Sequence, residues 1–499
     1  EVKAVASTKI VASPIIDGEE HLRSTRAIMS PIDGSTIAGH VSEADATLAA
    51  RAIDAAKRGF RVWDRTPAAT RAVALEKAAD ALESKRGLLL HLLQLEAGKT
   101  IDDALAELRE AVDFCRYYAA EARAICGEGE VLPGPTGEDN RLIRRGRGVF
   151  VCISPWNFPL AIFLGQVTAA LAAGNAVVAK PAEQTPLIAF EAIRTLHEAG
   201  VPTSALHFVP GGGDTGAALT AHPLVGGVAF TGSTETAWRI NRALAAKDGP
   251  IVPLIAETGG INPMIVDATA LPEQVSDDVV LSAFRSAGQR CSALRLLCVQ
   301  DDVADKMITM IKGAAEELKI GDPRDTATHI GPVIDAEAKS NLDTHIALMT
   351  KSAKTHYAGH APSQGTFVAP HMFELKSVSD LKREVFGPVL HIVRWKSGGL
   401  TTLLDQIDAL GYGLTLGVHT RIDSVQAEVV DRLDAGNCYI NRNMIGAVVG
   451  TQPFGGSRLS GTGPKAGGPD YLRRFTLEQT VTVNTAAAGG NASLIAMGE

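Results

Sequence analysis

The chain has 499 residues, 45% of them hydrophobic and 21% charged, with a formal net charge of −8. That length exceeds a single hydrophobic core and calls for two or three domains, and the acidic balance excludes a broad basic footprint for nucleic acid. Six cysteines, at 115, 126, 152, 291, 298 and 438, are scattered without a C-x-x-C pair or metal-ligand spacing; this argues against a disulfide framework and a metal site, and favours a reducing compartment, the cytoplasm.

Glu1-Val2-Lys3 opens without Met and without a long apolar run, so no signal peptide is expected, and the chain reads as a piece of a longer one. Residues 1–40 read as irregular, with a turn at Pro31-Ile32-Asp33-Gly34. Ser42-Glu43-Ala44-Asp45 resembles a capping box and predicts a helix to about Trp63. Thr66-Pro67 caps a second helix, with proline at its first position and Gly98 at its stop. A third is predicted over 102–124, where Leu105, Leu108, Val112 and Cys115 recur at helical spacing. Residues 141–148 alternate and carry charge and glycine, like an exposed hairpin.

Residues 148–179 contain no charged side chain. Length alone suggests a membrane span. Pro155, Asn157, Pro159, Gly165, Gln166, Gly174 and Asn175 instead divide the run into strand, loop, helix and strand of a buried core. Strands over 149–153, 176–179, 206–209 and 228–230 then alternate with helices over 160–172, 186–199, 214–221 and 233–246, which implies right-handed βαβ units and a parallel sheet. A second α/β stretch follows, with strands at 252–256, 263–266 and 295–299 and helices at 271–287 and 303–318. The rhythm repeats with strands at 415–418 and 438–440. Residues 478–484 alternate like a late edge strand, and the Gly/Ala-rich last ten residues read as mobile.

Several loops carry chemistry. Ser154-Pro155-Trp156-Asn157-Phe158-Pro159 follows the strand at 149–153, and ligands of parallel sheets gather beyond the carboxyl ends of strands. The Asn157 amide can donate to a developing oxyanion or simply bond the turn backbone. Lys180 and Glu183 follow the next strand. A lysine there can hold a ribose or phosphate, and a carboxylate three residues on favours NAD over NADP; the alternative is a solvated ion pair of little energetic worth. Gly232 and Ser233 open a helix whose N-terminus attracts phosphate, although no G-x-G-x-x-G is present and a tight turn is the stronger reading of these residues alone.

Glu257 ends a strand in Leu254-Ile255-Ala256-Glu257-Thr258-Gly259-Gly260, and apolar flanks can raise its pKa enough for a general base. Cys291 lies 34 residues later, and both are expected at the same end of one sheet. A cysteine attacks only as thiolate; Arg290 and the end of a helix near Gly288 are candidate sources of a favourable field. Most free cysteines are small buried hydrophobes, and Cys298, inside an apolar strand, reads that way. Glu384-Val385-Phe386-Gly387-Pro388 sets an acid and an aromatic before a turn. Gly446 and Ala447 can expose backbone N–H groups to a carboxylate.

In this order P-W-N-F-P, K-P-A-E, F-T-G-S, E-T-G-G, G-Q-R-C, E-V-F-G-P and P-F-G-G-S resemble the aldehyde dehydrogenase superfamily, from about residue 30 to 485. Within it, S-P-W-N-F-P-L-A-I-F-L-G-Q, residues 441–450 and S-G-T-G-P-K-A-G-G are most similar to the L-glutamate γ-semialdehyde dehydrogenase module of bifunctional proline utilization A. The flavin barrel of that protein has no counterpart, so only the second of its reactions is expected.

The resemblance implies an α/β fold with a Rossmann-like NAD-binding domain over 1–250, a catalytic domain over 251–450, and a return to the first domain over 451–499. A small β oligomerisation flap is implied from hairpin 130–148 and strand 478–484, and with it a homodimer. It implies Cys291 as nucleophile, Asn157 with the Cys291 N–H as oxyanion donors, and Glu257 as the water-activating base. Ser154, Trp156, Lys180, Glu183, Phe230, Gly232, Ser233, Glu384 and Phe386 would hold NAD. Ser292, Gly446 and Ala447 would anchor the α-carboxylate of an amino-acid aldehyde between Phe158 and Phe454, with Glu110 a further substrate candidate. Another NAD-dependent or CoA-acylating aldehyde dehydrogenase and a catalytically silent protein of the same fold remain the alternatives; a cysteine hydrolase has no histidine near these motifs.

Overall fold

The computed structural model describes residue 2 and residues 9–488; the last ten residues, expected to be mobile, lie outside them. Two seven-stranded sheets carry the architecture. The first runs, edge to edge, Leu254–Glu257, Val225–Thr231, Val149–Ile153, Ala176–Lys180, Leu206–Phe208, Ile15–Ile16 and Glu19–Glu20. Its first five strands are parallel and the two N-terminal strands join antiparallel. Helices cover both faces, so every residue of Val149–Ile153 and Ala176–Lys180 is buried. The helix between them, Ala161–Ala172, is buried almost all round. The uncharged run of 148–179 is thus sheet and helix core, and no helix among the described residues is long and apolar enough to cross a membrane.

The second sheet runs Lys354–Ala358, His371–Glu374, Val389–Trp395, Leu294–Gln300, Asn262–Val266, Thr415–His419 and Asn437–Ile440, parallel except for its first pair. A separate antiparallel sheet joins Glu130–Leu132, Glu138–Gly146 and Thr476–Asn484, the last two in register from Gly146↔Thr476 to Glu138↔Asn484. After the second sheet the chain returns to the first core, where Tyr471, Leu472 and Phe475 are buried.

Several local expectations change. The described part of residues 1–40 is not irregular: Thr25–Met29 pairs antiparallel with Ile37–Ser42 around the expected turn, where Asp33 accepts N–H bonds from Ser35 and Thr36. The first helix, Ala46–Arg65, is capped by Asp45, which accepts from the Leu48 N–H; Ser42 instead ends a strand and accepts from the Arg23 N–H. The second divides at Lys85 into Ala68–Ser84 and Arg86–Ala97, with Pro67 at the cap position and Gly98 ending it at φ 65°. In Ile101–Ile125, Leu105 points to solvent and Ala104 takes its place on the buried stripe. Leu254–Glu257 joins the first sheet, not the second α/β unit.

One correction bears on chemistry. The helix expected over 271–287 ends at Phe284, and Arg285–Gly288 forms a tight turn with Ser286 at φ 56°, Ala287 at φ 54° and Gly288 at φ 67°. Left-handed backbone at a non-glycine residue costs about 1–3 kcal/mol and persists only where surroundings impose it.

The first helix packs very close to the sheet's connections: a Cβ at Gly59 would lie 1.9 Å from the Ser204 carbonyl oxygen. Gly59→Ala is therefore expected to destabilise the fold by about 1–3 kcal/mol through overpacking, read as a lower midpoint in thermal denaturation. An unchanged midpoint would show that the contact yields freely.

Candidate active site

The carboxyl ends of three first-sheet strands open towards the loop that precedes Leu294–Gln300 of the second sheet. They bring up Asn157 after Val149–Ile153, Gly232 and Ser233 after Val225–Thr231, and Glu257 at the end of its own strand. Cys291 and Glu257 therefore come from different sheets, not from one end of a single sheet. Two clefts meet at Cys291. One, of about 450 Å³, is lined by Trp156, Asn157, Gly232, Ser233, Glu384 and Phe386 among others. The second, of about 370 Å³, is lined by Glu110, Phe158, Glu257, Ser292, Gly446, Ala447 and Phe454 among others. Cys291 is half-buried on their shared border.

The loop around Cys291 is pinned by buried polar groups. Asn262 donates to the carbonyls of Cys291 and Ala293 at 2.6 and 2.9 Å and accepts from the Thr415 N–H. Thr415 donates through its hydroxyl to the Ser292 carbonyl at 3.2 Å. Arg295, fully buried, donates to the carbonyls of Gly288, Arg290 and Gly387 and, at 3.3 Å, to Glu384. The Asn157 amide nitrogen donates to the Gln289 carbonyl at 3.1 Å, which sets its plane and leaves one N–H to spare.

Burial first, then the carboxylates of Glu384, Glu257 and Glu110, push the Cys291 thiol up to about 12. Arg290 does not relieve this, contrary to expectation: its guanidinium is held by Asp103 and by the Ser286 hydroxyl. At rest Cys291 is therefore a thiol. Glu257 is buried too. Its Oε2 accepts from the Gly456 N–H at 3.0 Å, and its Oε1 has no hydrogen-bond partner among the described residues. Burial raises its pKa to about 8 against the pull of that N–H and of Lys465. A Cβ at Gly455 would lie 2.9 Å from Oε1, so glycine there leaves room for the carboxylate.

On the other cleft, Trp156 and Phe386 meet edge to face at 5.5 Å. Glu384, its pKa raised by burial against Arg295, packs on Gly259, where a Cβ would lie 1.7 Å from its oxygen. Ser233 caps the helix Thr234–Ala245. This aromatic, partly acidic groove beside a helix N-terminus fits a dinucleotide.

Four expected cofactor residues line neither cleft. Lys180 is buried and donates to the carbonyls of Pro181 and Gly211. Glu183 is exposed near it, and Ser154 is buried with its N–H on the Lys180 carbonyl. Phe230 is a core residue, its ring against Gly232. Sequence reading missed Asn262, Arg295 and Asp103. A signal existed for two of them: a polar or charged residue inside an apolar strand is rarely buried unless paired, as Asn262 and Arg295 are.

Known proteins resemble this chain in sequence and fold. The sequence model of the aldehyde dehydrogenase family matches residues 18–481. The bifunctional protein PutA of Klebsiella aerogenes is 51% identical over 93% of this chain and 35% of its own length. A crystal structure of a mutant Bradyrhizobium japonicum proline utilization A is 68% identical with a TM-score of 0.89, over 90% of this chain and 46% of that one. A Thermus 1-pyrroline-5-carboxylate dehydrogenase with bound NAD is 32% identical with a TM-score of 0.92, over 97% of this chain and 95% of that one.

The chain belongs to the aldehyde dehydrogenase family and has its α/β fold. It spans about a third of the length of the bifunctional relative it matches, and nearly the whole of the single-function one.

A thiol near 12 exposes only a trace of thiolate at neutral pH. Alkylation of Cys291 by iodoacetamide, followed by peptide mass spectrometry without cofactor, should rise about tenfold per pH unit from 7 to 9. A plateau below pH 8 would show a thiolate already formed at rest.

Proposed function

We propose that the chain oxidises L-glutamate γ-semialdehyde, in equilibrium with 1-pyrroline-5-carboxylate, to L-glutamate with NAD, the second step of proline catabolism. The observation that carries this is Cys291 on the border of two clefts, one suited to a dinucleotide and one to a short amino-acid aldehyde. The names of the similar Thermus and bifunctional proteins support it.

An aldehyde carbon releases hydride only after it becomes tetrahedral. The Cys291 thiol loses its proton to water and its sulfur adds to that carbon, while Asn157 with the Cys291 N–H holds the oxyanion. NAD, when bound, would accept the hydride; Glu384 and Phe386 would hold its nicotinamide ribose, Gly232 and Ser233 its pyrophosphate, and Lys180 and Glu183, which lie outside the cleft, would meet its adenosine ribose beyond the cleft. The resulting thioester on Cys291 is cleaved by water that Glu257 deprotonates through its unpartnered Oε1. In the substrate cleft Ser292 and the N–H groups of Gly446 and Ala447 receive the α-carboxylate. Phe158 and Phe454 flank the aliphatic part. Glu110, pushed up to about 7 by burial and by Glu107, receives the ammonium, which would keep it ionised.

The first sheet is then the cofactor side, the second the catalytic side, and the separate three-stranded sheet a flap for a second copy. The outward-facing side chains of Thr476–Asn484 support such a homodimer. Six free cysteines fit the reducing cytoplasm.

NADH production should be most efficient with glutamate γ-semialdehyde among that aldehyde, succinate semialdehyde and simple aliphatic aldehydes; a preference for the aliphatic ones would sink the proposal. Acid formation independent of CoA would exclude the acylating alternative.

Asn157→Ala should keep NAD binding and lose about 10²–10³ in kcat, the usual worth of one oxyanion donor. Glu257 protonated below about 8 is no base, so deacylation should climb with pH towards a plateau above that value. Glu257→Gln should show a burst of NADH followed by slow turnover at every pH.

A further inference from the structure

Asp103, on the helix Ile101–Ile125, is 1% exposed and lies behind the substrate cleft. One oxygen accepts from Arg285 Nε at 2.7 Å and from an Arg290 terminal nitrogen at 2.9 Å; the other accepts from the Ser286 hydroxyl at 2.7 Å. Burial opposes its ionisation, yet Arg290, Arg285 and Lys99 hold the carboxyl well below the usual carboxylate range. Both arginines line the cleft beside Cys291 and Ser292, and Arg290 lies over the Phe158 ring at 5.2 Å. Left uncompensated, two guanidinium groups would favour any aldehyde bearing a carboxylate.

Apart from Glu257, which burial keeps mostly protonated at neutral pH, the charged groups in and behind the cleft are matched. Arg109, Glu110, Asp113, Arg285 and Arg290 line it, Asp103 sits on the two arginines, and Lys99 pairs with Glu107 at 2.5 Å. A cleft balanced in this way suits a substrate that is itself neutral overall.

We propose that Asp103 is a specificity-determining residue: by engaging Arg285 and Arg290 it cancels their excess positive charge, so that the cleft favours a zwitterionic amino-acid aldehyde over one carrying a carboxylate alone. This rests on the substrate reading above. Asp103 acts through the arginines and touches no reacting atom.

The test measures kcat/KM with NAD for glutamate γ-semialdehyde, succinate semialdehyde and propionaldehyde, the last as uncharged reference. In Asp103→Asn, which keeps the shape and removes the charge, efficiency for succinate semialdehyde relative to glutamate γ-semialdehyde should rise about tenfold, the scale of one unit charge at this range. An Asp103→Asn/Arg290→Gln double variant should return the ratio towards the wild-type value. An equal fall for all three aldehydes would overturn the proposal, leaving Asp103 as only a brace for the left-handed turn.

Should Asp103→Asn not fold, Arg290→Gln decides. The proposal expects succinate semialdehyde to lose about tenfold relative to propionaldehyde while glutamate γ-semialdehyde holds its place. Equal losses for both charged aldehydes would mean that Arg290 binds their carboxylate directly and would overturn it. A wild-type protein indifferent to the ammonium would defeat the substrate reading, whereas the variant-to-wild-type change in ratio still reads the charge of Asp103.

Discussion

The active site depends on one buried cation. Arg295 sits in a central strand of the second sheet with no exposure to solvent. A guanidinium there is tolerable because its two terminal nitrogens are engaged by three loop carbonyls and one carboxylate, while its Nε has no partner among the described residues. Two of those carbonyls belong to the loop of Cys291, while the third and the carboxylate belong to the Glu384–Gly387 loop. A single planar group thus ties the loop of Cys291 to the cleft lined by Glu384 and Phe386. Lysine, a point charge without the fork, would not reproduce that geometry.

Around this cation the carboxylates divide by environment. Glu257 has one N–H bond and a buried, unpartnered oxygen, so it favours the neutral form and is suited to act as a base near pH 8. Asp103 is equally buried but faces two guanidinium groups and a hydroxyl, so it stays charged. Glu107 accepts from the Leu160 and Ala161 N–H groups at the start of Ala161–Ala172 and pairs with Lys99. The same chemical group is held neutral, held charged or set on a helix N-terminus according to what lies within about 3 Å.

Much of the fold was legible because it rests on local pattern. The uncharged run over 148–179 could be read as strand, helix and strand from its prolines, glycines and asparagines, and the alternation after it described a parallel sheet. The short N-terminal strands were not legible, since each is held by partners far along the chain: Val11–Ala12 pairs with Ile37–Ser42, and Ile15–Ile16 with Leu206–Phe208. The end of the helix before Cys291 was misplaced for the same reason. Nothing in Arg285-Ser286-Ala287 requires left-handed backbone; Asp103, about 180 residues earlier, holds Arg285, Ser286 and Arg290 in that turn.

By itself the sequence determined which residue types stand at the ends of which strands: an amide at 157, a carboxylate at 257, a thiol at 291, in an order specific enough to indicate the family. Only the tertiary structure decided their electrical state. It showed that Arg290 is bound to Asp103 rather than facing the thiol, that Cys291 rests protonated among three carboxylates, and that Glu257 and Cys291 come from different sheets. The physical reason is that a pKa depends on desolvation and on charges a few ångströms away, and in this chain those charges come from distant parts of the sequence, such as Glu110 for Cys291 and Lys465 for Glu257.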